Sequence, residues 1–138
     1  MEPKARLTFN CGQLELPSHA LIVGSTMSGK TRLCLHLLRN PQLFNPPPTR
    51  ILFHYDQYQD EYLEVKRLLA TKGIELLLFK GCSGLTLDSL NAVDGQTILL
   101  VDDFSEETSA SADIAKIVTN GRHMRISVWL VWHSLYSK

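Results

Sequence analysis

The apolar residues of this 138-residue chain fall into short continuous runs, separated by segments in which apolar residues recur with a helical period. Continuous apolar runs bounded by turn-forming residues are typical of strands that are buried on both faces of a parallel sheet. The predicted strands are Ala20–Val23, Arg50–His54, Ile74–Phe79, Ile98–Val101 and Ile126–Trp132.

Helices are predicted in the segments between these strands. The clearest one has apolar side chains at the i, i+4, i+7 and i+11 positions of one helical face, namely Tyr58, Tyr62, Val65 and Leu69. Gly73 is suited to cap the C-terminus of this helix. The predicted helices are Lys30–Arg39, Tyr58–Lys72, a short one within Leu85–Val93, and one through Ile114, Ile117 and Val118 that ends at Asn120-Gly121.

Strands that alternate with helices predict an α/β fold with a mainly parallel sheet of about five strands, flanking helices and right-handed crossovers. Two short alternating runs, Arg6–Phe9 and Gln13–Leu16, predict a small N-terminal β-hairpin. A chain of 138 residues buries roughly two-thirds of its unfolded surface, which is enough for one hydrophobic core. We therefore expect residues 1–138 to form a single domain.

Charge and composition exclude several classes of protein. The 14 Lys and Arg residues balance 14 Asp and Glu residues, which excludes a basic nucleic-acid-coating protein and an acidic tail. With 44% hydrophobic and 20% charged residues, the chain is expected to fold rather than to be disordered. The three cysteines, Cys11, Cys34 and Cys82, lack the spacing of a metal site or disulfide framework and favour a reducing compartment. No signal peptide and no apolar run of the roughly 18–20 residues that span a bilayer are expected.

The segment Gly24-Ser25-Thr26-Met27-Ser28-Gly29-Lys30-Thr31 matches the phosphate-loop pattern GxxxxGK[ST]. It lies between a predicted strand and a predicted helix, as this motif requires. Its glycines let backbone N–H groups turn towards phosphate oxygens, and the helix that follows directs the positive end of its dipole at them. All eight residues are therefore candidates for nucleotide binding. We predict that Lys30 contacts the β- and γ-phosphates and that the Thr31 hydroxyl is a ligand of Mg²⁺.

An acidic pair, Asp102-Asp103, directly follows the buried run Ile98–Val101. In open parallel sheets, ligands bind at the carboxyl ends of the strands. Asp102 is therefore predicted to hold Mg²⁺ through water. Asp103 stands where many ATPases carry a catalytic Glu that polarises the attacking water, and its side chain is one methylene shorter.

These two motifs and the segment Thr119–Val131, TNGRHMRISVWLV, resemble the viral DNA-packaging ATPases of the poxvirus-like and Polinton-type group. That group belongs to the FtsK–HerA superfamily of P-loop ATPases. The similarity covers nearly the whole chain from Leu21 onward, and the NGRH…ISV part is its more specific element. It implies a P-loop NTPase fold of the ASCE/RecA-like type, with ATP and Mg²⁺ as cofactors.

The resemblance also implies an activity and its partners. The activity is that of an ATP-hydrolysing motor that translocates double-stranded DNA into a capsid. The implied partners are DNA, capsid or portal components, and further copies of the chain in a homo-oligomeric ring. The implied location is inside the host cell, in the nucleus or a cytoplasmic virus factory, or in the virion.

Two further site residues follow from the resemblance. In this group the last strand ends in a polar sensor residue, usually Gln, beside the γ-phosphate, and His133 occupies that position here. Histidine can donate a hydrogen bond to a phosphate or a water, although its charge varies near neutral pH. Arg122, with Arg125 as the alternative, is the candidate for an arginine that acts on the nucleotide of a neighbouring subunit.

Two other function classes stay open. One is a small P-loop kinase, although no arginine-rich lid is present between Ser105 and Gly121. The other is a nucleotide-binding assembly protein of the Zot-like kind, or a degenerate copy, without efficient hydrolysis. ATPases of the packaging group continue past the sensor strand with another helix and strand. We therefore expect this chain to be truncated relative to them, to lack the last strand and to leave Ala20–Val23 partly uncovered. The alternative is that the N-terminal pair Arg6–Leu16 covers this strand.

Overall fold

The computed structural model describes residues 13–24, 29–91, 93–104 and 113–133. Within these ranges the strands are β1 (Leu14–Glu15), β2 (Ala20–Gly24), β3 (Phe44–Asn45), β4 (Pro48–Tyr55), β5 (Glu75–Lys80), β6 (Gln96–Phe104) and β7 (Ile126–His133). The helices are α1 (Lys30–Arg39), α2 (Glu61–Thr71) and α3 (Ile114–Gly121). Short 3₁₀ helices cover Pro41–Leu43, Leu87–Ser89 and Arg122–Met124.

Five of these strands form one parallel sheet in the order β2-β7-β6-β4-β5. The chain crosses the sheet in one direction from β4 to its neighbour β5, and in the opposite direction from β6 to its neighbour β7. Right-handed crossovers then require α2 and α3 to lie on opposite faces. The buried side chains of the two helices belong to two separate core clusters, as this rule demands. The predicted α/β fold, with a mainly parallel sheet of five strands and flanking helices, is confirmed.

The alternation of side chains along β6 assigns each of its residues to one of these cores. Ile98 and Leu100 belong to the cluster that packs against α1 and α2. Leu99 and Val101 belong to the cluster that packs against α3. Because side chains of a strand alternate between faces, Asp102 falls on the same face as Leu100, towards α1 and α2.

Helix α1 has the predicted bounds, whereas α2 begins at Glu61 rather than at Tyr58. The first helical hydrogen bonds of α2 run from Tyr62 N to Gln59 O and from Leu63 N to Asp60 O, both at 3.0 Å. Tyr58 continues the apolar stripe because its ring packs on that of Tyr62, with centroids 5.9 Å apart. An aromatic contact therefore extends the helical pattern beyond the helical backbone.

The C-terminus of α2 confirms the role predicted for Gly73. Gly73 has a positive φ of 77°. Its N–H donates to Ala70 O at 3.1 Å, and the N–H of Ile74 donates to Leu69 O at 3.0 Å. This pair of hydrogen bonds is a Schellman motif, which satisfies the last carbonyl groups of the helix. The short helix predicted within Leu85–Val93 is only the 3₁₀ turn Leu87–Ser89, which Thr86 caps.

The second strand of the predicted N-terminal hairpin is paired with another part of the chain. Strand β1 pairs in parallel with β3, and Leu16 N extends the contact by donating to Asn45 O at 2.9 Å. Parallel pairing joins segments that are distant in sequence, so short-range alternation did not reveal it. The predicted hairpin partner, Arg6–Phe9, lies outside the described residues.

His19 fastens the start of β2 to the neighbouring strand β7 and to α3. The N–H of Val128 donates to His19 Nδ1 at 3.0 Å, while His19 Nε2 lies 2.9 Å from Val118 O. Because Nδ1 accepts a hydrogen bond, the ring proton sits on Nε2 and is donated to the carbonyl group. One imidazole ring thus joins the loop before β2 to both α3 and β7.

Strand β2 lies at one edge of the sheet, where β7 is its one hydrogen-bonded neighbour among the described residues. Leu21 and Val23 are 59% and 47% exposed there. The expectation that the first strand is partly uncovered is confirmed for the described part of the chain. No helix within that part is both long and apolar enough to cross a membrane.

Candidate functional site

The carboxyl ends of β2, β4 and β6 meet at one edge of the sheet and bring the two predicted motifs together. Gly24 ends β2, and Asp102 lies near the end of β6. The direction in which the chain moves across the sheet reverses in this region. After β2 the chain crosses to β4 and β5 on one side, and it then returns through β6 to β7, next to β2. Such a switch point is where open α/β sheets bind their ligands.

Gly29 provides the transition from the loop to α1. It is the N-cap of this helix and has φ 93° and ψ 14°, a left-handed conformation that non-glycine residues rarely adopt. The N–H of Leu33 donates to Gly29 O at 2.8 Å and so closes the first helical turn. The N-terminus of α1 therefore faces the carboxyl edge of the sheet. Ser25, Thr26, Met27 and Ser28 lie outside the described residues.

The side chain of Lys30 folds back towards Gly24 at the end of β2. This side chain is buried, with 6% exposure, and its Nζ donates to Gly24 O at 2.7 Å. The ammonium group is thus held at the end of β2 and beside the first turn of α1. A cation at that place is suited to bind phosphate oxygens, which would replace the carbonyl group as its partner.

Thr31 and Asp102 join the two motifs directly. The Thr31 hydroxyl donates to both carboxylate oxygens of Asp102, each at 3.4 Å, and Asp102 is only 9% exposed. Adjacent oxygen ligands of an octahedral Mg²⁺ are about 3 Å apart, so this spacing suits a shared ion or one of its water ligands. A hydroxyl and a carboxylate are also the hard oxygen donors that Mg²⁺ prefers. The donor set therefore fits the predicted cofactor.

A cleft of about 390 Å³ opens beside these residues, between the first turn of α1 and the start of α2. Its volume is within the range of small-molecule sites. The lining includes Lys30 and Thr31 from the phosphate-loop motif, and Gln59 and Glu61 from the segment that leads into α2. The α2 side of the cleft contributes residues that the motif alone did not reveal.

Two buried groups on the same face are affected by the charge of Asp102. Burial first, and then this charge, raises the pKa of the Cys34 thiol to about 12. Burial first, then the charge of Asp102 and smaller contributions of Glu61, Asp56 and Tyr55, raise the pKa of the Tyr62 hydroxyl to about 12. Both groups therefore keep their protons at neutral pH. Sequence analysis assigned Tyr62 only to the packing face of a helix, and no motif marked it as a neighbour of Asp102.

The remaining predicted residues are placed less completely. His133 is the register partner of Gly24, so its backbone lies beside the start of the phosphate loop. Asp103 follows Asp102 in β6. The side chains of His133 and Asp103 lie outside the described part of the structure.

Arg122 lies at the opposite edge of the sheet. It is exposed and follows α3, just before β7 begins. Strand β7 has 8 residues, which at a rise of about 3.3 Å each separate its two ends by roughly 25 Å. Arg122 is therefore remote from Lys30 and Asp102 of its own chain. A role at a nucleotide is open to it only at the site of another subunit.

Comparison of the chain with models of known protein families finds no match, and comparisons with curated proteins and with solved structures find none either.

Proposed function

We propose that this chain is a P-loop NTPase domain that binds ATP with Mg²⁺ and hydrolyses it. The contact between Thr31 and Asp102 carries the proposal, because it joins the phosphate-loop motif to the acidic end of a second strand. Two motifs that are 71 residues apart in sequence thereby form one site. Chance matches to a loop pattern have no reason to acquire such a partner.

The roles of the residues follow from their positions. Backbone N–H groups of the loop Gly24–Gly29 and the N-terminus of α1 bind the phosphates. Lys30 exchanges its bond to Gly24 O for bonds to the β- and γ-phosphates. Thr31 and Asp102 hold Mg²⁺, which when bound neutralises charge on the β- and γ-phosphate oxygens.

Hydrolysis needs groups that orient a water molecule and stabilise charge in the transition state. In the proposal, Asp103 orients the water as its general base, and His133 donates a hydrogen bond to the γ-phosphate or to that water. Arg122 completes the site of a neighbouring subunit. Because Arg122 is remote from its own loop, this role requires a ring of subunits.

We further propose that hydrolysis drives the translocation of double-stranded DNA into a capsid, on the basis of the resemblance given above. A net charge of zero leaves few cations for contacts with DNA phosphates. A ring can supply them by projecting a few lysines per subunit towards its pore. Lys116 on α3 is exposed and suited to this role, whereas Lys80 donates to Asp56 O at 2.6 Å.

The proposal is tested by measuring ATP binding and phosphate release, with and without duplex DNA, for the natural chain and for Lys30→Ala. We expect Lys30→Ala to lower ATP affinity and to reduce hydrolysis at least about 100-fold, because a buried cation at the phosphates is lost. Lys72→Ala is the matched control, since Lys72 is an exposed lysine at the far end of α2.

Three outcomes contradict parts of the proposal. Full activity of Lys30→Ala would contradict the assigned site. Hydrolysis that duplex DNA does not stimulate would contradict the motor but not the ATPase. Transfer of the γ-phosphate to an added nucleoside, instead of release as free phosphate, would identify a kinase.

A further inference from the structure

Tyr62 combines deep burial with an unused hydrogen-bonding group. Its side chain is 1% exposed, and its hydroxyl has no hydrogen-bond partner within the described ranges. A buried hydroxyl without a partner destabilises a fold, because it loses its hydrogen bonds to water. Phenylalanine would fill the same space without that cost, so packing alone does not explain a tyrosine here.

The ring of Tyr62 is held in one place by its neighbours. It makes an edge contact with Phe53 at a centroid distance of 4.8 Å and a tilted contact with Tyr55 at 5.7 Å. Tyr58 closes a third side at 5.9 Å. With the ring fixed by three aromatic neighbours, the position of the hydroxyl is determined by the fold.

That position is on the Asp102 side of the core. Tyr62 belongs to the cluster that contains Leu100, which precedes Asp102 on the same face of β6. His54 pairs with Val101, so the end of β4 that carries Tyr55 runs beside Asp102. Glu61, the residue before Tyr62, lines the cleft next to Thr31. A tyrosine hydroxyl is protonated at neutral pH and can donate a hydrogen bond to a carboxylate.

We infer that Tyr62 is a positioning residue for Asp102: its hydroxyl donates a hydrogen bond to the carboxylate when Mg²⁺ and nucleotide are bound. The inference rests on the proposed function. Hydrogen bonds of this kind are often unmade in the ligand-free state and form in the complex. The bond orients the carboxylate towards Thr31, so that both oxygen donors face the ion. Tyr62 does not contact the phosphates and acts only through Asp102.

The test uses the whole chain and compares Tyr62→Phe with Tyr58→Phe. Tyr58 contacts the same aromatic rings but is 45% exposed, whereas Tyr62 is 1% exposed. Binding of a fluorescent ATP analogue is measured at increasing Mg²⁺ and again in the presence of a chelator. Thermal unfolding without ligand is measured for every variant.

We expect Tyr62→Phe to raise the Mg²⁺ concentration for half-maximal binding about tenfold or more, as is typical when a hydrogen bond to a metal ligand is lost. Binding in the chelator and the unfolding temperature should not fall. A role in packing alone also allows a higher unfolding temperature, but it predicts an unchanged Mg²⁺ dependence. Tyr58→Phe should leave both measurements unchanged.

A double-mutant cycle with Asp102→Asn checks that Tyr62 acts through Asp102. The effect of Tyr62→Phe on the Mg²⁺ dependence should shrink to less than about twofold in the Asp102→Asn background. An undiminished effect there, or no effect in the natural background, would overturn the inference and leave the proposed function standing. If the natural chain binds no nucleotide at any Mg²⁺ concentration, the proposed function fails and this inference fails with it.

Discussion

Glycine 29 is required in the phosphate-loop motif because of its backbone, not because of its surroundings. Gly29 (φ +93°) and Gly73 (φ +77°) both have left-handed conformations, and no atom lies within 4 Å of an added Cβ at either position. An added Cβ at Gly84 would also have no atom within 4 Å, but the φ of Gly84 is not in the left-handed region. An alanine at Gly29 or Gly73 is therefore opposed by backbone strain alone, and one at Gly84 is not.

This difference allows a matched comparison of three alanine variants. We expect Gly29→Ala and Gly73→Ala each to lower the free energy of unfolding by about 1–2 kcal/mol, and Gly84→Ala to change it by less than about 0.5 kcal/mol. Gly29→Ala alone should also weaken ATP binding, because the loop N–H groups change direction. Denaturant unfolding and nucleotide titration measure the two effects. Equal ATP affinity for Gly29→Ala and Gly73→Ala would contradict the role given to Gly29.

The buried side chain of His54 makes the stability of the folded protein depend on pH. It is 7% exposed, stacks on Phe79 with a centroid distance of 4.8 Å, and its Nδ1 lies 2.8 Å from Gly81 O. Burial lowers the pKa of His54 below its ordinary value of 6.5, and the hydrogen bond to Gly81 opposes this only in part. The folded protein therefore holds His54 in its neutral form.

The direction of the effect follows from proton linkage. At pH values between the lowered pKa of the folded protein and 6.5, His54 is protonated in the unfolded chain but neutral in the folded one. The stabilisation that neutral His54 gives to the folded protein is complete above pH 6.5. The free energy of unfolding then falls by up to about 1.4 kcal/mol per pH unit as the pH drops towards the pKa of His54 in the folded protein. We expect His54→Gln to be less stable at pH 7 and to lose less stability between pH 7 and 5. His36→Gln, at an exposed helix position, should keep the natural pH profile.

At the scale of elements, the sequence predicted the bounds of a helix well where capping or helix-breaking residues set them. Helix α1 has the predicted bounds because Gly29 begins it and Asn40-Pro41 ends it. The predicted start of α2 at Tyr58 was wrong, because Tyr58 lies before the helix. It continues the apolar stripe only through the contact of its ring with that of Tyr62. Periodicity reports which side chains share a packed face, and the backbone conformation is a separate matter.

Contacts between distant elements account for what the sequence did not reveal. The parallel pair of β1 and β3 depends on the packing of Leu16 and Phe44 in one core. The place of Tyr62 near Asp102 depends on the register between β4 and β6 and on the face that α2 covers. No short pattern encodes either relation. The meeting of Thr31 and Asp102 could be predicted because both belong to motifs at the carboxyl ends of parallel strands.

At the scale of the whole molecule, the sheet separates Arg122 from the proposed phosphate site. Lys30 and Asp102 lie at the carboxyl edge, and Arg122 lies at the amino edge, roughly 25 Å away along β7. A head-to-tail ring brings such opposite surfaces of neighbouring subunits together. If Arg122 stabilises the transition state across that interface, each site is made of two chains.

Mixing two inactive variants tests this arrangement. We expect Arg122→Ala to reduce hydrolysis about 1,000-fold or more while ATP affinity changes little, because an arginine of this kind acts on the transition state. Arg67→Ala, on the exposed side of α2, is the control and should hydrolyse ATP normally.

Rings assembled from equal amounts of Arg122→Ala and Lys30→Ala chains should recover activity, to roughly a quarter of the natural rate if the interfaces form at random. Recovery requires that an intact loop of one chain meets an intact Arg122 of another. If the mixed rings stay inactive while each variant alone assembles normally, Arg122 does not complete the neighbouring site, and the transition-state charge is neutralised by groups of the same chain.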